Sequence, residues 1–401
     1  MTTMTIHTEP LHIQQATVPT NALTATAVQD PMAAYQTVDI TIVDGRITAV
    51  VSARQVANKP IGAATVLDAT GYTVLPGFID VHVHGGAGHD TMDATPAALA
   101  AMAHFFANHG VTAFMPTTIT APHAEIRRAI ANVAAVAATP PPGAQILGVH
   151  IEGPYISPTF PGAQPPTFIR PPNVAEFTAL VAAGPVRMMT FAPEEPGAHE
   201  LLAAARQQQI VAVWGHTNAT YEQCVAAAAQ GFTQATHTYN AMSGLHHRKP
   251  GVLGATLTID TIDAQLIADN IHVHPAAMQV LARCKRVEHT ILITDAMRAA
   301  GLPDGEYDLG GQPVTVADGA CRLADGTLAG SILTLDQALR NFMVATGLPW
   351  PMLWPVTSRT AARSLGLGDE LGLIGVGHWG DLAVLDRDLQ VVSTIVRGKI
   401  V

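Results

Sequence analysis

Five short apolar runs in this chain each stop at a residue able to ligate a metal ion. A repeated unit of that kind leaves few architectures open. The run Val74–Val81, in the segment PGFIDVHVHGG, leads into His82 and His84. Residues two apart on a strand face the same way, so both imidazoles are aimed at one point. QILGVHIEGPY ends its apolar part in Glu152 and a Gly-Pro turn, and IVAVWGHTNAT ends in His216. GFTQATHTYNAM ends in His237, and HTILITDAM ends in Asp295. Ala-rich helical stretches separate these runs, which is the βα alternation of a parallel sheet. A (β/α)8 barrel gathers functional residues on the loops after its strands. The predicted class is therefore α/β, with a (β/α)8 barrel.

Both ends of the chain have a different texture. VDITIVDGRITAV places two β-rich runs around Asp44-Gly45, a dipeptide favoured in tight hairpins. GDLAVLDRDLQVVSTIVRGKIV, at Gly380–Val401, is again β-rich. The simplest assembly is a barrel over 76–375 and a small β-sandwich domain made from 1–75 and 376–401. Residues 1 to about 25 lack clear periodicity and are expected to be mobile or an edge strand. The Pro-rich patches Thr139–Gly143 and Pro158–Pro172 read as loops, and the second follows Glu152 closely enough to cover a site there.

With 401 residues, 48% of them hydrophobic, the chain suits one barrel plus an accessory domain. A formal net charge of −10 argues against a nucleic-acid surface. Cys224, Cys284 and Cys321 are too scattered for a disulfide framework or a Cys-based zinc site. The first basic residue is Arg46, so no secretory signal is expected. No apolar stretch approaches the ~18 residues of a membrane span. The expectation is a cytoplasmic protein with reduced thiols and no membrane partner.

A lone histidine at a strand end is ordinarily structural; the joint pattern carries the argument. A His/Glu/His set with an open position is a metal-hydrolase ligand set. A metal held there lowers the pKa of a water to ~7 and polarises a carbonyl. Asp295 then suits a general base that returns the proton to a departing amine. GLHHRKPG gathers His246, His247, Arg248 and Lys249 in an otherwise acidic chain, and an Arg fork suits phosphate. ADNIHVHP adds His272 and His274. One is expected as a substrate contact and the other at the surface or one layer behind the site, with a second metal pair as the formal rival.

These blocks together resemble N-acetylglucosamine-6-phosphate deacetylase, of the amidohydrolase superfamily. The resemblance runs from VDGRI to VRGK and rests on PGFIDVHVHG, HIEGPYISP, GHTNAT, ATHTYNAM, ADNIHVHP, LITDAM and LAGSILTLDQALRN. It implies that Glu152, His216 and His237 are metal ligands and that His82 and His84 match members able to carry a second ion. It implies Asp295 as acid/base, and Asn240, Ala241 and the turn Leu328-Ala329-Gly330 as substrate contacts. Arg248 and His272 fall on phosphate-binding positions, with Arg248 reaching a neighbouring subunit's site in a homodimer. The implied cofactor is a divalent ion, Zn first with Fe, Mn or Co as alternatives, one or two per subunit. The implied substrate is N-acetyl-D-glucosamine 6-phosphate, in amino-sugar catabolism or cell-wall sugar recycling. One departure stands out: where the family usually reads Gly-Ala-His, this chain has Gly162-Ala163-Gln164. Ala163 and Gln164 are therefore expected on the sugar side, where an amide can bond a hydroxyl or phosphate, and the epimer preference stays open between glucosamine and galactosamine.

Two rivals remain. Hydrolases of cyclic amides in the superfamily bridge two metals with a carboxylated lysine. Only Lys59, Lys249, Lys285 and Lys399 are present, and none follows an early barrel strand. A catalytically dead relative serving as a scaffold would lack ligands or the acid/base, all of which are here.

Overall fold

A computed structural model of the chain describes residues 9–23, 35–53 and 64–401. The remainder of the N-terminal stretch, including residues 1–8 and 24–25, lies outside the described residues, as does Lys59.

Eight parallel strands form the barrel: β1 (Phe78–Val83), β2 (Val111–Thr118), β3 (Val149–Glu152), β4 (Val186–Phe191), β5 (Val211–Trp214), β6 (Phe232–Ala235), β7 (Asp263–Ile267) and β8 (Thr290–Ile293). Neighbours pair in sequence order from β1 to β8. Hydrogen bonds at the strand ends, from Asp295 N to His82 O and from His84 N to Ala296 O, both 2.9 Å, bring β8 back to β1. Every residue of β1 and of β2 is buried. Helices cover one face and the barrel interior the other, which is why the strands read as continuous apolar runs.

A helix follows each strand: α1 (Pro96–Ala107), α2 (His123–Ala137), α3 (Val174–Val181), α4 (Ala198–Gln207), α5 (Tyr221–Gln230), α6 (Gly251–Thr258), α7 (Pro275–Lys285) and α8 (Leu335–Thr346). Their ends carry the expected local chemistry. Thr95 caps α1 ahead of Pro96, and Thr220 with Gln223 forms a capping box on α5. No helix among the described residues is long and apolar enough to cross a membrane.

The terminal segments build a separate eight-stranded sheet. Leu382–Leu385 lies antiparallel to Thr73–Pro76, and Val391–Val396 and Lys399–Ile400 extend it. On the other side Tyr35–Val43 and Arg46–Ser52 form the hairpin, with Asp44 and Gly45 both at positive φ, 50° and 78°. Between these halves runs Leu11–Pro19. It pairs with Tyr35–Val43 on one side and with Thr65–Asp68 and Thr73–Pro76 on the other. That corrects the expectation of a mobile segment or an edge. Its alternating apolar residues are buried between neighbours (Leu11, Ile13, Ala16 and Val18 are all at or below 2% exposure). A break at Ile13/Ala16, where Gln15 takes φ 57°, hides the alternation from a sequence reading.

The run Val74–Val81 is also two strands rather than one. Thr73–Pro76 belongs to the terminal sheet and β1 to the barrel, with Gly77 between them. A Cβ on Gly77 would stand 2.2 Å from Thr112 Oγ1, so only glycine passes at the junction.

Candidate active site

His82, His84, Glu152, His216, His237 and Asp295 all lie at the C-terminal mouth of the barrel. His82 is on β1 and His84 directly follows it; Glu152 is the last residue of β3. His216, His237 and Asp295 each sit two residues beyond β5, β6 and β8. All three take positive φ (48°, 25° and 49°), a region that side chains other than glycine seldom enter. The left-handed turn swings the side chain inward over the barrel mouth.

The six groups converge. His216 Nε2 and His237 Nε2 stand 3.2 and 3.1 Å from Glu152 Oε1, and 3.0 Å from each other. His84 Nε2 lies 3.2 Å from Glu152 Oε2 and 3.2 Å from Asp295 Oδ1. His82 Nε2 lies 3.5 Å from Glu152 Oε1 and 3.4 Å from Asp295 Oδ1. His82, His84 and Asp295 form one group, and Glu152, His216 and His237 another, with ligand atoms in each group within 4.8 Å of one another. All six are at most 8% exposed.

The donor set fits a cation. The far nitrogens of three rings are committed to acceptors. His216 Nδ1 donates to Phe160 O at 3.0 Å and His84 Nδ1 to Thr117 O at 3.2 Å. His82 Nδ1 faces Thr236 Oγ1 at 2.9 Å, and that hydroxyl donates onward to Gln265 Oε1. Each Nε2 is thereby left with its lone pair facing other lone pairs, the arrangement found where imidazoles ligate metal. His82 Nε2 and His237 Nδ1 have no hydrogen-bond partner although buried. Charge preferences agree. Burial alone would raise the Glu152 carboxyl, but His82 and the bonds from His216 and His237 hold it well below the usual range. Burial opposes a charge on His84, yet Asp295 and Glu152 push its pKa well above the ordinary value. Asp295, against the pull of burial, is brought down to about 2 by His82 and His84. Such a cluster favours added positive charge at its centre.

Above it opens a cleft of about 750 Å³. The expected residues His84, Glu152, His216, His237, Asp295, Ala163, Gln164, Asn240, Ala241, His272, Leu328 and Gly330 line it. Three others do not. His82 lies beneath the floor at 0% exposure. Ala329 is turned into a secondary core beside Met297 and Cys321. Arg248 is exposed on the loop after β6, against His247. His272 is held by Asp269, whose carboxylate accepts from His272 Nδ1 at 2.6 Å and from the backbone N–H groups of Ile271 and His272. His274 instead caps α7 by accepting from Ala276 N, so the two do not form a metal pair.

Sequence reasoning missed one wall. Gly305–Leu309, Gln312–Ala317 and Ala320–Arg322 form a three-stranded sheet after β8, and from it Leu309, Gln312 and Arg322 face the cleft. Gln312 Nε2 ties it to the Pro-rich loop by donating to Ala163 O at 2.6 Å. The signal was present in the hairpin dipeptides Gly310-Gly311 and Asp318-Gly319. Also missed was the polar layer under the site, where His150 donates to Val81 O and meets Thr190, and Gln265 bonds Gln234.

The model of the amidohydrolase family matches residues 73–401. The N-acetylglucosamine-6-phosphate deacetylase of Bacillus subtilis (strain 168) is 43% identical over 332 residues, 82% of this chain and 84% of that one. The N-acetylgalactosamine-6-phosphate deacetylase of Escherichia coli O157:H7 is 40% identical over 361 residues, 90% of this chain and 93% of that one. Among solved structures, a mutant N-acetyl-D-glucosamine-6-phosphate deacetylase from Mycobacterium smegmatis, in complex with N-acetyl-D-glucosamine-6-phosphate, superimposes with a TM-score of 0.86 at 33% identity. The match covers 98% of this chain and 99% of that one.

Proposed function

Since this chain belongs to the amidohydrolase family, among its N-acetylglucosamine-6-phosphate deacetylases, we propose that it hydrolyses the acetamide of N-acetyl-D-glucosamine 6-phosphate to acetate and glucosamine 6-phosphate. The observation that carries the reading is the convergence of Glu152, His216, His237, His84 and Asp295 at the floor of one cleft, with His82 just beneath. Glu152, His216 and His237 would hold one divalent ion, Zn first with Fe, Mn or Co as alternatives, and His82 and His84 a second. A divalent ion supplies a nucleophilic water at neutral pH and draws electron density from the carbonyl.

Asp295 is a carboxylate at neutral pH, so it is able to accept the proton of the attacking water and return it to the amine as the C–N bond breaks. Asn240, Ala241, Leu328 and Gly330 hold the sugar, and His272 faces the phosphate. Arg248, exposed and not among the residues lining its own cleft, supplies a guanidinium to the phosphate from the partner of a homodimer. We place this chemistry in the cytoplasm and in the segment 76–375.

The similarity to an N-acetylgalactosamine-6-phosphate deacetylase over 90% of the chain supports a second substrate reading, the galactosamine epimer. Steady-state kinetics with both epimers, on enzyme of assayed metal content, separates them. In the same assay Asp295→Asn is expected to retain metal and lose ~10²–10⁴-fold in turnover. A near-normal rate would remove Asp295 as acid/base.

A further inference from the structure

Gln164 stands where the resemblance led us to expect a sugar contact, yet both ends of its side chain are already engaged. Its Oε1 accepts from Thr120 N at 2.7 Å, and its Nε2 donates to Glu152 Oε2 at 2.7 Å. It is 4% exposed. The backbone N–H of Thr120 can only donate, so the amide oxygen must face it and the NH₂ must face Glu152. The amide therefore has one sensible orientation. Its own backbone is fixed as well, Gln164 N donating to Pro161 O at 2.9 Å.

The consequence falls on Glu152. Its Oε1 faces His82, His216 and His237, and its Oε2 faces His84 and the Gln164 amide. A carboxylate free to rotate would not keep Oε2 on His84 and Oε1 on His82, His216 and His237. Gln164 straps it to the loop after β2 without adding charge. A lysine in that place would neutralise Glu152 and compete with an ion, and a glutamate would face it with like charge.

We propose that Gln164 is the positioning residue of Glu152, fixing the carboxylate so that Oε2 stays on the side of His84 and Oε1 stays towards His82, His216 and His237. The proposal rests on the metal-hydrolase reading. Hydrogen-bond partners of metal ligands typically carry 10–100-fold in metal affinity.

The test uses the full-length protein, stripped of metal and titrated with Zn²⁺ against a competing chelator. Gln164→Leu keeps much of the volume and removes both hydrogen bonds; Gln164→Ala guards against a packing fault peculiar to leucine. Both variants are expected to bind Zn²⁺ about 10–100-fold more weakly. At saturating Zn²⁺ the KM for N-acetylglucosamine 6-phosphate should stay within about twofold, and the metal-free protein should melt lower only by what an unpaired Thr120 N–H costs. Unchanged Zn²⁺ affinity in both variants overturns the proposal. So does a KM raised tenfold at unchanged Zn²⁺ affinity, which would make Gln164 a sugar contact. So does a lowered melting temperature with unchanged affinity, which would make it structural. A wild-type protein that takes up none of Zn²⁺, Fe²⁺, Mn²⁺ and Co²⁺ overturns the metal-hydrolase reading itself, and the proposal with it.

Discussion

Asp336, in the first turn of α8, shows how a buried carboxylate outside the active site contributes. Burial alone would raise its pKa. The His109 ring 3.3 Å away, the nearby Thr334 and the charge of Arg340, 3.0 Å away, outweigh that and bring it to about 2. The folded-state value lies below the ordinary 3.8. Its stabilisation is therefore fully present above about pH 4 and is lost as pH falls towards 2. Asp336→Asn should cost about 2 kcal/mol in urea unfolding at pH 7, and the gap to wild type should close near pH 2. In the active site, the double variant His82→Gln/His84→Asn should lower the metal content of reconstituted protein to about one equivalent by elemental analysis. A wild type that never exceeds one equivalent would remove the second ion. The histidines, Glu152 and Asp295 were legible in the sequence because few residue types ligate metal and strand ends are easy to find. The Gln164 contact was not, because an amide serves a sugar or a carboxylate equally well and only the fold decides which lies within 2.7 Å.

Among the described residues, the tightest passage at a glycine lies just beyond β5 and β6. A Cβ on Gly215 would lie 1.9 Å from Thr236 Cγ2 and 2.9 Å from Thr190 Cγ2. Gly215 and Thr236 each precede one of the proposed ligands, His216 and His237, and Thr236 also bonds the His82 ring. Gly215→Ala should therefore cost roughly 1–3 kcal/mol by overpacking and loosen metal at the same time, read by urea unfolding and by elemental analysis of the same sample. Retained metal at normal stability would show that β6 yields without disturbing the ligands. The barrel strands were readable because both faces are buried and apolar runs result. The junction at Gly77 was not, since the apolar run continues straight through it while the chain changes sheet. The cleft-side sheet at Gly305–Arg322 escaped because its pattern belongs to neither the barrel nor the termini.

For the whole molecule, the distribution of charge bears on assembly. Arg248 is exposed and its own cleft is lined by other residues. Mixing impaired Arg248→Ala with impaired Asp295→Asn subunits should restore sites with both residues intact, read as recovered turnover in verified mixed dimers. No recovery would place the Arg248 contribution within one chain. Arg248→Ala alone should lower kcat/KM for the phosphorylated sugar about 10- to 150-fold, and far less for the unphosphorylated one. The barrel with an accessory terminal sheet was legible as a whole because hairpin signals cluster at both ends. The terminal sheet has a consequence for biosynthesis. Thr73–Pro76 meets Leu382–Leu385 only once nearly the entire barrel has been translated. Until then a nascent chain carries an apolar strand with one side unpaired, the kind of edge that recruits other chains. Yield in a crowded cell should therefore hang on how long the ribosome takes to deliver the last strands, and slow codons late in the message would be felt as aggregation.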